Sequence, residues 1–187
     1  MPDWEQVYRE KSIDAASAAD VLLNNSHLLP ENGEALDYAC GLAGNAFYLA
    51  SKGFNVRSWD LSETAIDQVN SHAKKTFQKV SGETIDLETN PPELNEVFDV
   101  VVVSYFLHRE TLRNLYHYLK KGGVLFYQTF SGSQVNGKGP SREAFRLQRG
   151  ELLSVFSDMQ LLFYREDYSV KGHDDNRAGE VFMVARK

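Results

Sequence analysis

The strongest pattern in the chain is Phe98-Asp99-Val100-Val101-Val102-Val103, where four consecutive valines leave no polar face. A run of this kind is buried on both sides, as in a parallel sheet covered by helices, and it predicts a central fourth strand. Ahead of it, Ala35 and Leu36 begin a first strand, and Val56 leads a second to Asp60. Between these two, residues 45–51 form a short helix ended by Gly53. Ser62 then caps a long helix whose apolar face is Ala65, Ile66, Val69, Ala73, Phe77 and Val80, three and four apart. Phe77 on that stripe is a core residue. A third strand falls at residues 84–87, before the break at Pro91-Pro92.

After the valine run, Leu112, Leu115, Tyr116 and Leu119 mark a helix, and Gly122-Gly123 turns the chain into a fifth strand at 124–130. Residues 131–141 carry three glycines, one proline and a single apolar residue, Val135, which predicts a mobile loop suited to a lid or to substrate recognition. A helix begins near Gly150-Glu151-Leu152. Strands at 159–164 and 180–185, joined by a polar loop, form an antiparallel pair at the end of the sheet. Residues 3–25 are helical in two pieces, with Trp4, Val7 and Tyr8 on one face and Ala15, Ala19, Leu22 and Leu23 on another. The alternation predicts an α/β fold: a three-layer sandwich with a mostly parallel seven-strand sheet, the last strand antiparallel, and helices on both faces.

The length of 187 residues suits one domain, 1–187, with residues 1–32 as an N-terminal helical segment and 33–187 as the core. No apolar run is long enough to span a membrane, and the polar N-terminus predicts a cytoplasmic protein. The formal charge of −6 argues against nucleic acid as a partner. Lys74-Lys75 and Lys120-Lys121 fall where helix C-termini are expected and would complement helix dipoles. Cys40 is the single cysteine, so neither a disulfide framework nor a cysteine-rich zinc site is available. The run His173-Asp174-Asp175 lacks ligand spacing on a fixed element, so no metal is expected.

Chemistry concentrates between Gly33 and Asp60. The small-residue turn from Ala39 to Gly44 follows a strand and opens a helix, so backbone N–H groups and the positive end of the helix face one spot. Asp60 lies 19 residues beyond Gly41, at the carboxyl end of the next strand, where a carboxylate meets a ribose. This is a nucleoside site. The glycine spacing is not that of a dinucleotide fingerprint, and Asp37 precedes the turn, which disfavours NAD.

Ala35-Leu36-Asp37-Tyr38-Ala39-Cys40-Gly41 followed by Asn45-Ala46-Phe47-Tyr48-Leu49-Ala50 resembles the first motif of the class I, seven-strand S-adenosylmethionine (SAM) dependent methyltransferases. The similar branch is the tellurite-resistance and thiopurine-methyltransferase-like group. Ala39 and Ala43 stand where glycine is common in it. The resemblance implies an N-terminal segment folded over the cofactor, with Tyr8 against it. It implies contacts from Asp37, Tyr38, Ala39, Cys40, Gly41 and Asn45 to the methionine end, and from Asp60 and Leu61 to the ribose. Asp86 and Leu87 would flank adenine, and Ser104 and Tyr105 would line the site after the fourth strand. The product would be S-adenosylhomocysteine.

Methyl transfer by in-line displacement needs alignment in a dry pocket more than it needs side-chain chemistry. The acceptor would be a small molecule: a thiol, selenide, tellurite-type or other soft nucleophile. Where a base is needed, His108, His173 and Arg177 are the candidates. Two alternatives stay open: a non-catalytic SAM-binding scaffold, and an NAD(P)-dependent oxidoreductase. The chain would act as a monomer or homodimer.

Overall fold

A computed structural model describes residues 3–132, 134–135, 137–166 and 179–187. The valine run is strand β4 (Phe98–Ser104), and β1 (Glu34–Tyr38), β2 (Asn55–Asp60) and β3 (Val80–Thr84) lie beside it. With β5 (Leu119–Phe130), β6 (Gln160–Glu166) and β7 (Glu180–Arg186), they form one seven-stranded sheet in the order β3-β2-β1-β4-β5-β7-β6. All pairings from β3 to β5 are parallel, and β7 is antiparallel to both β5 and β6. The mixed sheet expected from the pattern is therefore present.

The alternation along β4 divides the core. Val101 and Val103 pack with Leu112, Leu115 and Tyr118 of helices α5 (Arg109–Leu112) and α6 (Asn114–Tyr118) and with Leu152 of α7 (Glu151–Val155). Val100 and Val102 pack with Val21 and Leu22 of α2 (Asp20–Asn24), Leu49 of α3 (Gly44–Ser51), and Val69 and Ala73 of α4 (Glu63–Thr76). All four valines are fully buried, each stabilising the fold by roughly 1.5–3 kcal/mol of transfer free energy. The helices thus cover both faces. Short α1 (Trp4–Arg9) buries no residue and rests on α4.

Three boundaries differ from the sequence expectation. The long helix, capped by Ser62 as expected, ends at Thr76: Phe77 is its C-cap in the left-handed region (φ 55) and is 94% exposed, not core. Val80, expected on the helix face, starts β3 and pairs with Val56, so the third strand lies at 80–84 and Asp86 follows it in a turn. Leu119 is the first residue of β5, and Gly122-Gly123 lies inside that strand. Gly122 is left-handed (φ 84), and the register shifts between the Phe98–Leu119 and Val100–Val124 pairs, so the two glycines turn the chain into the continuous ladder at Val124 as expected. A Cβ on Gly123 would meet the carbonyl oxygens of Lys120 at 2.9 Å and Phe98 at 3.1 Å, so glycine permits the close approach at that irregularity. Lys120 therefore caps no helix; its Nζ pairs with Asp99, which also accepts from the Glu34 N–H. Lys74 and Lys75 do occupy the last turn of α4.

Among the described residues no helix is long and apolar enough to cross a membrane. One consequence of the α4 terminus is measurable. Replacing Phe77 by glycine removes a left-handed side chain and an exposed ring, so Phe77→Gly raises stability by about 1 kcal/mol and Tm by roughly 2–4 °C in calorimetry.

Candidate functional site

The chain leaves β1 through a turn with three left-handed residues, Ala39 (φ 56), Gly41 (φ 53) and Ala43 (φ 56). Such backbone costs an alanine of the order of 1 kcal/mol, and it clusters where a loop is held for a purpose. The turn is pinned to β2: the Cys40 N–H donates to the Trp59 carbonyl at 2.9 Å, and the Gly41 N–H donates to Asp60 Oδ2 at 2.7 Å. Asp60 Oδ1 accepts from the Ser62 N–H at 3.0 Å. Burial raises the Asp60 carboxyl above the usual range, against the hydrogen bonds it accepts.

Asp37, wholly buried, faces the start of α3. Its Oδ1 accepts from Asn45 Nδ2 and its Oδ2 from the Ala46 N–H, each at 3.0 Å. Burial, aided by the Asp60 charge, pushes this carboxyl up to about 7. Asn45 also donates to Ser104 Oγ (3.1 Å), and its Oδ1 accepts from the Ala19 N–H (2.8 Å). One amide thus ties the turn, the end of β4 and the N-terminal segment together. Beside it, a Cβ on Gly44 would lie 2.2 Å from the Ser17 carbonyl oxygen, so only glycine lets that segment cross the turn. Tyr8 Oη would meet a Cβ on Gly41 at 2.5 Å, and its ring stacks on Trp4 at 6.0 Å. Burial and the Asp60 charge hold the Tyr8 proton in place. Burial next to Asp37 and Asp60 likewise raises the Cys40 thiol, which makes it a poor nucleophile.

Not every expected residue presents its side chain here. Tyr38 turns into the core between Trp59, Phe106 and Tyr118, and the Leu87 side chain is also core, so only their main chains can serve the site. Leu61 is exposed beside Asp60. Asp86 sits in the turn after β3 and accepts from the Glu88 and Thr89 N–H groups at 3.0 Å. The His108 ring is engaged on both sides, by Thr111 Oγ1 at 3.0 Å and Glu110 Oε2 at 2.6 Å. His173 and Arg177 lie outside the described residues.

Beyond β4, Tyr105 is itself left-handed (φ 56) and half exposed. Its Oη accepts from Gln128 Nε2 (2.8 Å) and donates to Glu180 Oε2 (3.2 Å). Gln128 and Glu180 were not anticipated. The available signal was an amide within the apolar run of the fifth strand and an acid opening the apolar seventh. Among the described residues of the loop at 131–141, the carbonyls of Ser131, Gly132, Lys138 and Pro140 accept from the buried Arg146 guanidinium.

These groups lie along the carboxyl edge of the parallel strands, beside the β1–β4 pair where the strand order reverses, the position at which open α/β sheets bind ligands. Among the described residues neither Asp37 nor Asp60 has an ion pair. Two buried carboxylates without a cation fit a ligand that carries hydroxyl donors and positive charge. Among the described residues no group of acidic, histidine or cysteine side chains could hold a metal.

Comparison with known proteins gives the family and the fold. Residues 4–184 match the model of the tellurite resistance protein TehB family. A curated relative from Haemophilus influenzae, described as a probable S-adenosyl-L-methionine-dependent methyltransferase TehB, is 28% identical over 165 residues, covering 81% of this chain and 56% of its own length. The chain thus spans about half the length of that relative. The crystal structure of TehB from H. influenzae superposes with a TM-score of 0.73 at 24% identity, covering 98% of this chain and 67% of that one. A TehB-like SAM-dependent methyltransferase from Corynebacterium glutamicum gives a TM-score of 0.67 at 19% identity, covering 99% and 96%. The left-handed turn, its buried acid and the family match over nearly the whole chain place this protein in the TehB family.

Proposed function

We propose that this chain is a SAM-dependent methyltransferase acting on a small-molecule acceptor. The observation that carries the reading is the pair of buried carboxyl groups, hydrogen-bonded but without an ion pair among the described residues, around the left-handed turn at the carboxyl edge. The sulfonium cofactor supplies the electrophilic methyl group. Asp60 would accept from the ribose hydroxyls, using the lone pairs not taken by Gly41 and Ser62. Asp37 and Asn45 would hold the turn whose N–H groups meet the methionine end, with Tyr8 closing over Gly41. The turn at Asp86 would border the adenine, and Ser104 and Tyr105 the transferring methyl. His108, with both ring nitrogens engaged, then serves as a local tie at the start of α5, and His173 and Arg177 remain the acceptor-side candidates. Thiols, selenides and tellurite-type species form the acceptor class, because soft nucleophiles require little beyond alignment in a dry pocket.

The test is a thermal-shift comparison with S-adenosylhomocysteine, SAM, NADH and NADPH, since a ligand bound only to the native state raises its Tm. The two sulfur nucleosides raise Tm and the nicotinamides do not. A shift with NADH alone would overturn the reading, and binding of SAM without turnover of any acceptor would favour a scaffold role. Asp60→Ala weakens S-adenosylhomocysteine binding about tenfold or more in calorimetry while the circular dichroism spectrum stays native.

Asp37 adds a pH dependence. Its folded-state carboxyl titrates near 7, above the value of about 4 in an unfolded chain, so the native state binds its proton more tightly. Stability of the free protein therefore falls as pH rises from about 4 to 7, and the loss is complete above that window. A cationic ligand favours the ionised form, so the Tm increase given by SAM grows across the same window. Asp37→Asn flattens both trends, and a wild-type Tm that rises steadily over this range would contradict the assignment.

A further inference from the structure

Glu180 opens β7 at the same edge of the sheet as the turn, because β7 runs against its neighbours. It pairs with Phe130 across β5, while Ser104, the last residue of β4, pairs with Gln128. At about 4.8 Å between strands, Glu180 stands roughly 10 Å from β4, and the Tyr105 side chain spans that gap. A cofactor reaching from Asp60 over β1 to β4 would leave this as the next position along the edge.

The cluster is built, not incidental. Gln128, 1% exposed, has its Oε1 fixed by the Val21 N–H at 2.9 Å. A main-chain N–H can only donate, so the amide cannot flip, and Nε2 must face Tyr105 Oη and Glu180 Oε2, both at 2.8 Å. The Tyr105 hydroxyl, accepting from Gln128, gives its own hydrogen to the same Glu180 oxygen. Oε2 therefore receives two donors, while Oε1 accepts no hydrogen bond among the described residues. Tyr105 is held for this in a left-handed conformation that its aromatic side chain disfavours.

We infer that Glu180 is the proton acceptor of the transfer, oriented by Gln128 and Tyr105, and that the acceptor substrate brings a dissociable hydrogen on its nucleophilic atom, as a thiol does. The inference rests on the methyltransferase reading. As the acceptor X–H attacks, the new X–C bond forms and the C–S bond breaks with its electron pair staying on sulfur. The X–H proton passes to the free oxygen of Glu180 and from there to solvent. The carboxyl is suited to receive it: burial raises it above the usual range, with Asp20 of α2 adding to the effect and Lys138 opposing it. Arg146, from the segment before α7, and the Tyr105 hydroxyl also face it. An acceptor that arrives already deprotonated has no need of this group.

The experiment compares wild type with Glu180→Gln, which keeps an oxygen to accept from Tyr105 and Gln128 and cannot take a proton. The probes are 2-mercaptoethanol, protonated at neutral pH, and benzeneselenolate, anionic there. In Glu180→Gln the kcat for the thiol falls about tenfold or more, the kcat for the selenolate stays within about twofold, and the calorimetric Kd of S-adenosylhomocysteine is unchanged. Equal losses with both acceptors, or no loss with the thiol, would overturn the inference alone. A wild-type protein that fails to bind S-adenosylhomocysteine would overturn the methyltransferase reading and this inference with it. Independently of turnover, Glu180→Gln gains Tm relative to wild type as pH rises above the ordinary carboxyl range, because it has no carboxylate to desolvate; parallel curves would count against the assignment. Tyr105→Phe is the second variant: losing a donor to the carboxylate moves the acid limb of the thiol kcat profile to higher pH, and an unmoved limb would exclude the pair.

Discussion

A carboxylate with no access to water governs the geometry of this site. Asp37 cannot be solvated, so its two oxygens must be met by protein donors, and the structure supplies them from the first turn of α3. That requirement sets where α3 starts and how the chain reverses after β1. It also accounts for the left-handed alanines, because the turn from Tyr38 to Gly44 has few residues in which to bring Asn45 and Ala46 back to the acid. The strain in the turn is offset by hydrogen bonds to a charged group, which are worth about 1.5–3 kcal/mol each.

The same amide that meets Asp37 carries the constraint outward. Asn45 binds Ser104 at the end of β4 and the main chain of Ala19, so the strand that lines the site and the segment that crosses it are fixed by one side chain. Two residues further along, Val21 fixes Gln128, and Gln128 fixes Tyr105 and Glu180. The N-terminal segment is thus bonded to both halves of the edge. Val21 and Leu22 of α2 anchor the segment in the core, whereas α1 buries nothing and is held by Glu5 to Thr64 and by Gln68 to the Tyr8 carbonyl. Helix α1, held by a few polar contacts, can open without disturbing the sheet, whose own stability lies in the valine-lined core.

Charge gives the edge a polarity. The β1 and β2 side offers Asp37 and Asp60, and the β5 and β7 side offers Glu180. All three carboxyls are raised mainly by burial, which describes a site that gains when positive charge or a proton arrives. The position beside the point where the strand order reverses suits such a site.

Local pattern was enough to specify much of this. Four valines in a row required a sheet covered on both faces, Ser62 stated where α4 begins, and the small-residue turn with Asp60 19 residues beyond Gly41 marked a ligand edge. The end of α4 was illegible because Phe77 and Val80 continue a three-and-four spacing that a left-handed cap interrupts; only the pairing of Val80 with Val56 decides between helix and strand. Tyr38 looked like a site residue because it adjoins the turn, whereas the strand pleat sends its ring to the opposite side, into the core. The contacts of the His108 ring with Glu110 and Thr111 come from the bend of the chain into α5 and are not marked by any motif. Gln128 and Glu180 are 52 residues apart in the chain, and neither has a motif around it. Sequence fixes what a residue can do within its own turn or strand; which distant polar groups meet at the edge depends on strand order and register, and those follow from packing the whole sheet.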